Sequence, residues 1–184
     1  MIMYRLLFIL LVPLFLTQVN TGKEKYWDSA NSLKWSDFRG KPDSKSKYKA
    51  STTCEIVCRM ETTESEGLVT VYCFFNKEES WTKTDDPYLL NHEQRHFDLY
   101  EVYTRKMRQA LMEISKTDAR KLAVQVKKIY NKYLRECSKI QDEYDRETHF
   151  SINRERQQEW NLQIDTMIKE TRALKDPEVH IPLY

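Results

Sequence analysis

The helical parts of this chain are visible in the spacing of its apolar residues. From Leu89 onward, apolar and aromatic residues recur every three or four positions. At 100° per residue they fall within an arc of about 100°, which is typical of one buried helix face. The stripe consists of His92, His96, Leu99, Tyr100, Tyr103, Met107, Ala110 and Ile114. A first long helix is therefore predicted from about Leu89 to Ile114.

Two further helices follow. Residues 115–118 supply a break and a new N-cap, after which a second stripe begins. Its members are Leu122, Val126, Ile129, Tyr133, Cys137, Ile140 and Tyr144. We therefore expect Cys137 to face the core and the second helix to run antiparallel to the first. Ser151 is predicted to cap a third helix that continues to about Arg172 and ends before Asp176-Pro177.

The first part of the chain has a different pattern. Residues 51–60 and 68–75 are short, rich in β-branched and aromatic residues, and separated by a charged turn, which predicts a β-hairpin. Residues 23–51 are polar with isolated aromatic anchors and are predicted to wrap around the domain as an extended segment. The predicted fold class is α+β: a small antiparallel sheet, a long antiparallel helical hairpin and a third helix.

Residues 1–22 have the order of a signal peptide. Arg5 precedes a short apolar run from Leu6 to Leu16, and polar residues follow it. The run is about half the roughly 20 residues needed to span a membrane. We expect cleavage between Thr17 and Lys23, export to the periplasm or the extracellular space, no stable membrane anchor afterwards, and one domain over residues 23–184. The alternative is an uncleaved leader that anchors the chain.

Export would place four cysteines in an oxidising compartment: Cys54, Cys58, Cys73 and Cys137. Structural disulfides are the favoured interpretation, with three possible pairings. The two-residue period of a strand puts Cys54 and Cys58 on one face, so Cys73 of the opposing strand could pair with either. A cysteine zinc site is the alternative, but its ligands normally come in two close pairs.

Charge and glycine content exclude several functions. The chain has 30 Lys and Arg against 28 Asp and Glu, so no nucleic-acid partner is expected. Three glycines among 184 residues are too few for a phosphate-binding loop, a dinucleotide fingerprint or a nucleophile elbow.

The first turns of the predicted first helix contain His92-Glu93-Gln94-Arg95-His96, which matches the motif H-E-x-x-H. Residues four apart lie on the same helix face, so both imidazoles can reach one zinc ion while Glu93 acts as the general base toward a water. The sequence therefore predicts a zinc site of the zincin type. The alternative is that both histidines are core residues, each satisfied by a buried hydrogen-bond partner.

Such a site ordinarily needs a third protein ligand. If the two long helices are antiparallel, residues 138–142 lie opposite the histidines, and His149 could ligate only if the helix ends and folds back. His149 is the leading candidate by residue type, with Glu143 and Glu147 as carboxylate alternatives and Asp145 as a partner that holds an imidazole. His180, near the end of the chain, is a weaker candidate.

Several blocks of this chain resemble a known family. They are residues 33–42 (LKWSDFRGKP), Ser80-Trp81, residues 90–98 (LNHEQRHFD), residues 144–148 (YDRET), Gln157 and Trp160. In this order they are similar to the bacterial family called domain of unknown function 922, whose members are predicted secreted zinc-dependent proteases. The resemblance implies that His92 and His96 are metal ligands and Glu93 the catalytic base. The family continues with threonine, one spacer, histidine and glycine, whereas this chain has Thr148-His149-Phe150-Ser151.

The leading hypothesis is thus an exported zinc-dependent hydrolase, a metalloprotease with one zinc per chain and a peptide or protein substrate. The alternative is an exported, disulfide-stabilised binding or structural module whose metal site is non-catalytic or absent. A third hypothesis keeps the metal and the water but makes the substrate an ester or a non-peptide amide.

Overall fold

The computed structural model describes residues 22–184. The predicted leader, residues 1–22, and its expected cleavage region therefore lie outside the described residues, except for Gly22 and Lys23. Among the helices that the structure describes, none is long and apolar enough to cross a membrane. Residues 22–184 form an α+β fold with two small antiparallel sheets and three α-helices. The α+β class, the hairpin and the three helices are as predicted, whereas the second sheet was not predicted.

The main sheet has four strands, and three of them pair with one central strand. The predicted hairpin forms it: β3 (Cys54–Thr62) pairs with the central β4 (Glu66–Asn76). The other side of β4 pairs with β1 (Glu24–Tyr26) at one end and with β6 (Glu178–Pro182) at the other. A second sheet joins β2 (Ala50–Ser51) to β5 (Trp81–Thr82). The wrapping segment is thus anchored at two points by short strands.

The three helices match the predicted stripes. They are α1 (Pro87–Met112), α2 (Ala119–Thr148) and α3 (Arg154–Glu170). The carboxylate of Asp86 caps α1, and that of Asp118 caps α2. The expectation that Ser151 caps α3 is wrong. Asn153 is the N-cap and accepts a hydrogen bond from the Arg156 amide, because the chain needs a turn after α2 before α3 can begin.

The core lies between the sheet and the helices. Apolar side chains of β3, β4 and β6 pack against α1 and α2, and Val69, Val71, Phe75, Val102, Met107 and Leu122 are among those with no exposed surface. A smaller cluster joins the three helices directly behind the H-E-x-x-H motif. It contains Leu99, Tyr144, Trp160 and Ile164. This second cluster fixes the helices around the candidate site.

All four cysteines are free thiols in the structure. Cys137 faces the core as predicted, with 2% of its surface exposed. Cys73 lies opposite Ile56 in the β3–β4 register, so neither Cys54 nor Cys58 is its direct cross-strand neighbour, and no disulfide joins the described cysteines. Burial raises the pKa of the Cys58 and Cys137 thiols to about 12, which keeps them protonated at neutral pH.

Candidate metal centre

The two motif histidines converge on one point. His92 and His96 lie one turn apart on α1, and their rings meet edge to face with centroids 4.8 Å apart. Their Nε2 atoms are 3.3 Å from each other. Both side chains are largely buried, so the ring nitrogens must find partners within the protein.

Asp145, on the last turns of α2, supplies the third group. Its Oδ1 lies 3.2 Å from Nε2 of His92 and 3.0 Å from Nε2 of His96. Within residues 22–184, these three side chains are the single group of three or more potential ligands whose donor atoms all lie within 4.8 Å of one another. The antiparallel helical hairpin therefore brings two imidazoles and one carboxylate oxygen to a common point.

The tautomer of His96 is fixed by Gln141 of α2. The amide nitrogen of Gln141 donates to the main-chain carbonyl of His96 at 3.0 Å. Because a carbonyl can only accept, the other end of this amide, Oε1, must face the ring. It lies 2.5 Å from Nδ1 of His96. Nδ1 must therefore carry a proton and donate it, which leaves Nε2 to face Asp145.

The tautomer of His92 is fixed by a longer chain of the same kind. The Tyr144 hydroxyl donates to the main-chain carbonyl of His92 at 3.2 Å, so this hydroxyl can only accept from Gln157, whose Nε2 is 2.7 Å away. The Oε1 of Gln157 is then 2.9 Å from Nδ1 of His92, which must be the donor. Burial raises the pKa of Tyr144 and keeps its hydroxyl protonated for this role.

These contacts make the site strongly polar. Burial alone would lower the pKa of His96, but the hydrogen bond and charge of Asp145, together with the charge of Glu93, raise it to about 9. Burial alone would raise the pKa of Asp145, but its bonds to the two histidines hold that pKa far below its usual value. Asp145 is therefore held as an anion, and it stabilises a positive charge beside it. A bound cation would supply such a charge.

Glu93 lies on the same helix between the two histidines. It is 5% exposed, and its carboxylate has no hydrogen bond or ion pair within the described part of the chain. Its charge acts on His96 and on Cys54, so it is close to the centre and to the start of β3. A buried carboxylate without a protein partner is unusual, because burial of a charge is costly unless it is paired. It suits a group whose partner is a water or a substrate.

The other predicted ligands lie elsewhere. His149 is the C-cap of α2, exposed and in the left-handed conformation with φ of 49°, and it is not in the cluster. Glu147 pairs with Arg156 and accepts from the Trp160 indole at 2.9 Å. The side chain of Glu143 is 46% exposed. The structure thus puts Asp145 in the position expected for His149, because α2 stays helical to Thr148 and Asp145 is the residue on its inner face at that level.

His180 is also remote from the cluster. It lies on β6 with its side chain 56% exposed, and its Nδ1 is 3.1 Å from a carboxylate oxygen of Glu66 on β4. This pair belongs to the sheet surface, so His180 is not a ligand of the candidate centre.

The sequence interpretation missed the role of Gln141. It lies within residues 138–142, which the antiparallel arrangement predicts to be opposite the histidines. It also comes one turn after the core residue Cys137 on the same stripe. A polar amide on the predicted buried face of the second helix, opposite the histidines, was the sequence signal that could have identified Gln141. Gln157, known only from the resemblance, proves to contact His92 directly.

A family model matches the part of the chain that contains the candidate centre. Residues 75–151 match the family model described as bacterial protein of unknown function (DUF922). The match confirms the resemblance predicted from the sequence, and it covers α1 and α2 with both histidines, Glu93, Gln141 and Asp145. Neither the curated proteins nor the solved structures contain a match to this chain.

Proposed function

We propose that this protein is a zinc-dependent hydrolase of the zincin type, and that its substrate is a peptide or protein. The observation that carries the proposal is the triangle formed by Nε2 of His92, Nε2 of His96 and Oδ1 of Asp145, with sides of 3.2, 3.0 and 3.3 Å. Zinc binds nitrogen and oxygen ligands at about 2.0–2.1 Å, and in a tetrahedron that distance separates neighbouring ligands by about 3.3 Å. The three atoms are thus spaced as three ligands of one zinc ion.

The hydrogen bonds around the triangle support the same interpretation. A histidine ligand binds zinc through a neutral nitrogen and donates its other N–H to an oxygen. Gln141 and Gln157 accept exactly such bonds from His96 and His92. Two imidazole nitrogens 3.3 Å apart with lone pairs toward each other would repel, and a cation between them would remove that repulsion.

His92, His96 and Asp145 would hold the zinc ion, and the chemistry it would supply there is a lowered pKa of a water and polarisation of a substrate carbonyl. Glu93 is the general base: its unpaired carboxylate takes a proton from the attacking water and returns it to the leaving nitrogen. The choice of a peptide rather than an ester follows from the resemblance to predicted proteases. Export, expected from the leader, would place this activity outside the cytoplasm.

One observation favours the second candidate function, a module without catalytic metal. Asp145 lies within hydrogen-bond distance of both imidazoles, and a protonated His96 can donate from Nε2 to its carboxylate, so an ion pair can hold the cluster together without a metal. In that case the histidines and Asp145 would only join α1 to α2, and Glu93 would have no role.

Metal content and turnover separate these two functions. We expect the purified protein, stripped with a chelator and reloaded, to hold about one zinc per chain and to cleave quenched-fluorescence peptides. Glu93→Gln should retain zinc and lose turnover by at least a hundredfold. Glu113→Gln, at the exposed end of the same helix, is the matched control and should keep both. Absence of zinc in the wild-type protein would favour the second function.

A further inference from the structure

An exposed aromatic pair lies at the end of α2, the helix that carries Asp145 of the candidate metal centre. Tyr48, from the segment before β2, and Phe150, from the turn after α2, have ring centroids 4.9 Å apart at an interplanar angle of 48°. Each ring is about 40% exposed, 39% for Tyr48 and 43% for Phe150. Together with Lys47 they are called the aromatic patch below.

A backbone hydrogen bond links Phe150 to the end of α2. Its amide donates to the main-chain carbonyl of Asp145 at 2.9 Å, so the turn with Phe150 directly follows the last helical turns that carry this ligand. Of the three ligand side chains, Asp145 is the most open, at 30% exposed against 14% for His96 and 4% for His92. Asp145, the ligand closest to Phe150 along the chain, is thus the one that solvent reaches most easily.

The turn that holds Phe150 is strained. His149, Phe150 and Ser151 have φ values of 49°, 54° and 73°, a left-handed conformation that is unfavourable for residues with a Cβ atom. Three consecutive residues of this kind, without a glycine, keep a large apolar ring half exposed. Strain of this sort persists where surrounding structure enforces it, and it concentrates at functional sites.

Lys47 gives the aromatic patch a chemical preference. Its Nζ lies 5.2 Å from the Tyr48 ring centroid and 5.9 Å from that of Phe150. Within residues 22–184 this ammonium makes no ion pair, so its contacts are with the two π faces. An aromatic side chain can stack on the rings and also interact with the cation, whereas a lysine or arginine side chain would meet a like charge.

We propose that Tyr48, Phe150 and Lys47 form a specificity subsite that binds an aromatic side chain of the peptide substrate next to the bond that is cleaved. The inference rests on the proposed function and deepens it by naming the substrate class. The subsite favours phenylalanine, tyrosine or tryptophan, accepts small apolar side chains weakly and disfavours basic ones.

The test uses inhibitors that bind the metal directly, so it does not depend on finding a natural substrate. Zinc-loaded protein is titrated with N-acetyl-phenylalanine, N-acetyl-alanine and N-acetyl-arginine hydroxamates, whose common group chelates zinc. We expect the phenylalanine compound to bind about tenfold more tightly than the alanine compound. The arginine compound should bind no better than the alanine compound, and Lys47→Gln should improve its binding severalfold.

Two variants and one control assign the preference. Phe150→Ala and Tyr48→Ala should each reduce the ratio of the affinities for the phenylalanine and alanine compounds to between one and three. Their zinc content should be unchanged, which shows that they are folded. Ile152→Ala is the matched control, because Ile152 is 80% exposed in the same turn and has no ring contact; its ratio should stay near ten. Equal binding of the three compounds by wild-type protein, or an unchanged ratio in both variants, would overturn the subsite. A wild-type protein without zinc would instead overturn the proposed function on which it rests.

Discussion

Gln141 contacts both the ring and the main chain of His96. Its Nε2 donates to the His96 carbonyl at 3.0 Å, and its Oε1 accepts from Nδ1 of the same residue at 2.5 Å. The main chain of α1 thus determines, through one amide, which nitrogen of the His96 ring carries the proton. This leaves Nε2, the nitrogen that the proposed zinc ion would bind, facing Asp145.

The first prediction concerns this contact. Gln141→Leu keeps the size of the side chain but removes the acceptor that orients His96, so zinc affinity should fall by about 10- to 100-fold. Competition with a chromophoric chelator measures the change. Gln125→Leu, at an exposed position of the same helix, is the matched control and should leave the affinity unchanged. If both variants bind zinc like wild type, the proposed orientation of His96 is unnecessary.

The second prediction identifies the third ligand. Asp145→Asn retains the shape but removes the anionic oxygen, and we expect zinc binding to weaken by at least a hundredfold. His149→Ala should have little effect, because His149 lies outside the cluster. Asp142→Asn, exposed on the preceding turn of α2, controls for loss of negative charge. The opposite result, loss of zinc in His149→Ala alone, would require the end of α2 to rearrange when metal binds.

The positions of these residues show which parts of the site can be predicted from the sequence. Periodicity places His92 and His96 on one face and puts residues 138–142 opposite them, and Gln141 is found there. The same periodicity does not show whether α2 stops before His149. The turn after α2 is formed by three residues in the left-handed conformation, none of which is glycine. Without a glycine, the sequence gives no reliable signal of where the helix ends. The third ligand was therefore assigned by residue type, and the geometry favours Asp145.

The missed strand has a similar explanation. Residues 178–182 alternate exposed and buried side chains, with Val179 and Ile181 facing the core. Five residues with two apolar positions are too few to indicate a strand by themselves. The segment becomes β6 because β4 offers it a free edge, and that edge exists only after the hairpin has formed.

The third prediction concerns the strained turn. Ser151 has φ of 73°, where glycine has no steric penalty, so Ser151→Gly should stabilise the protein by about 0.5–1 kcal/mol after the entropic cost of glycine. Chemical denaturation at fixed zinc measures the difference. Ser115→Gly, at an exposed loop position without positive φ, should destabilise or have no effect. A destabilised Ser151→Gly would mean that the serine side chain itself supports the turn.

The fourth prediction follows from the charge on His96. Its pKa in the metal-free protein is about 9, above the value of about 6.5 in an unfolded chain. Protonated His96 therefore stabilises the metal-free fold fully below about pH 6.5, and this contribution is lost as the pH rises through 9. The free energy of unfolding of wild type minus that of His96→Gln, measured in the presence of chelator, should decrease over that interval. The difference removes contributions from groups that titrate equally in both proteins.

Zinc reverses the sign of this dependence, because the ion needs the neutral imidazole of His96 and must displace its proton. Zinc affinity should increase by about tenfold per pH unit between pH 7 and 9 for one displaced proton, over the interval in which the metal-free protein loses stability. Competition titrations at pH 7, 8 and 9 measure this slope, with His180→Ala as a control because His180 lies on the sheet surface away from the centre. An affinity independent of pH, together with a stability difference that still falls, would leave His96 as the ion-pair partner of Asp145 and place any bound zinc elsewhere.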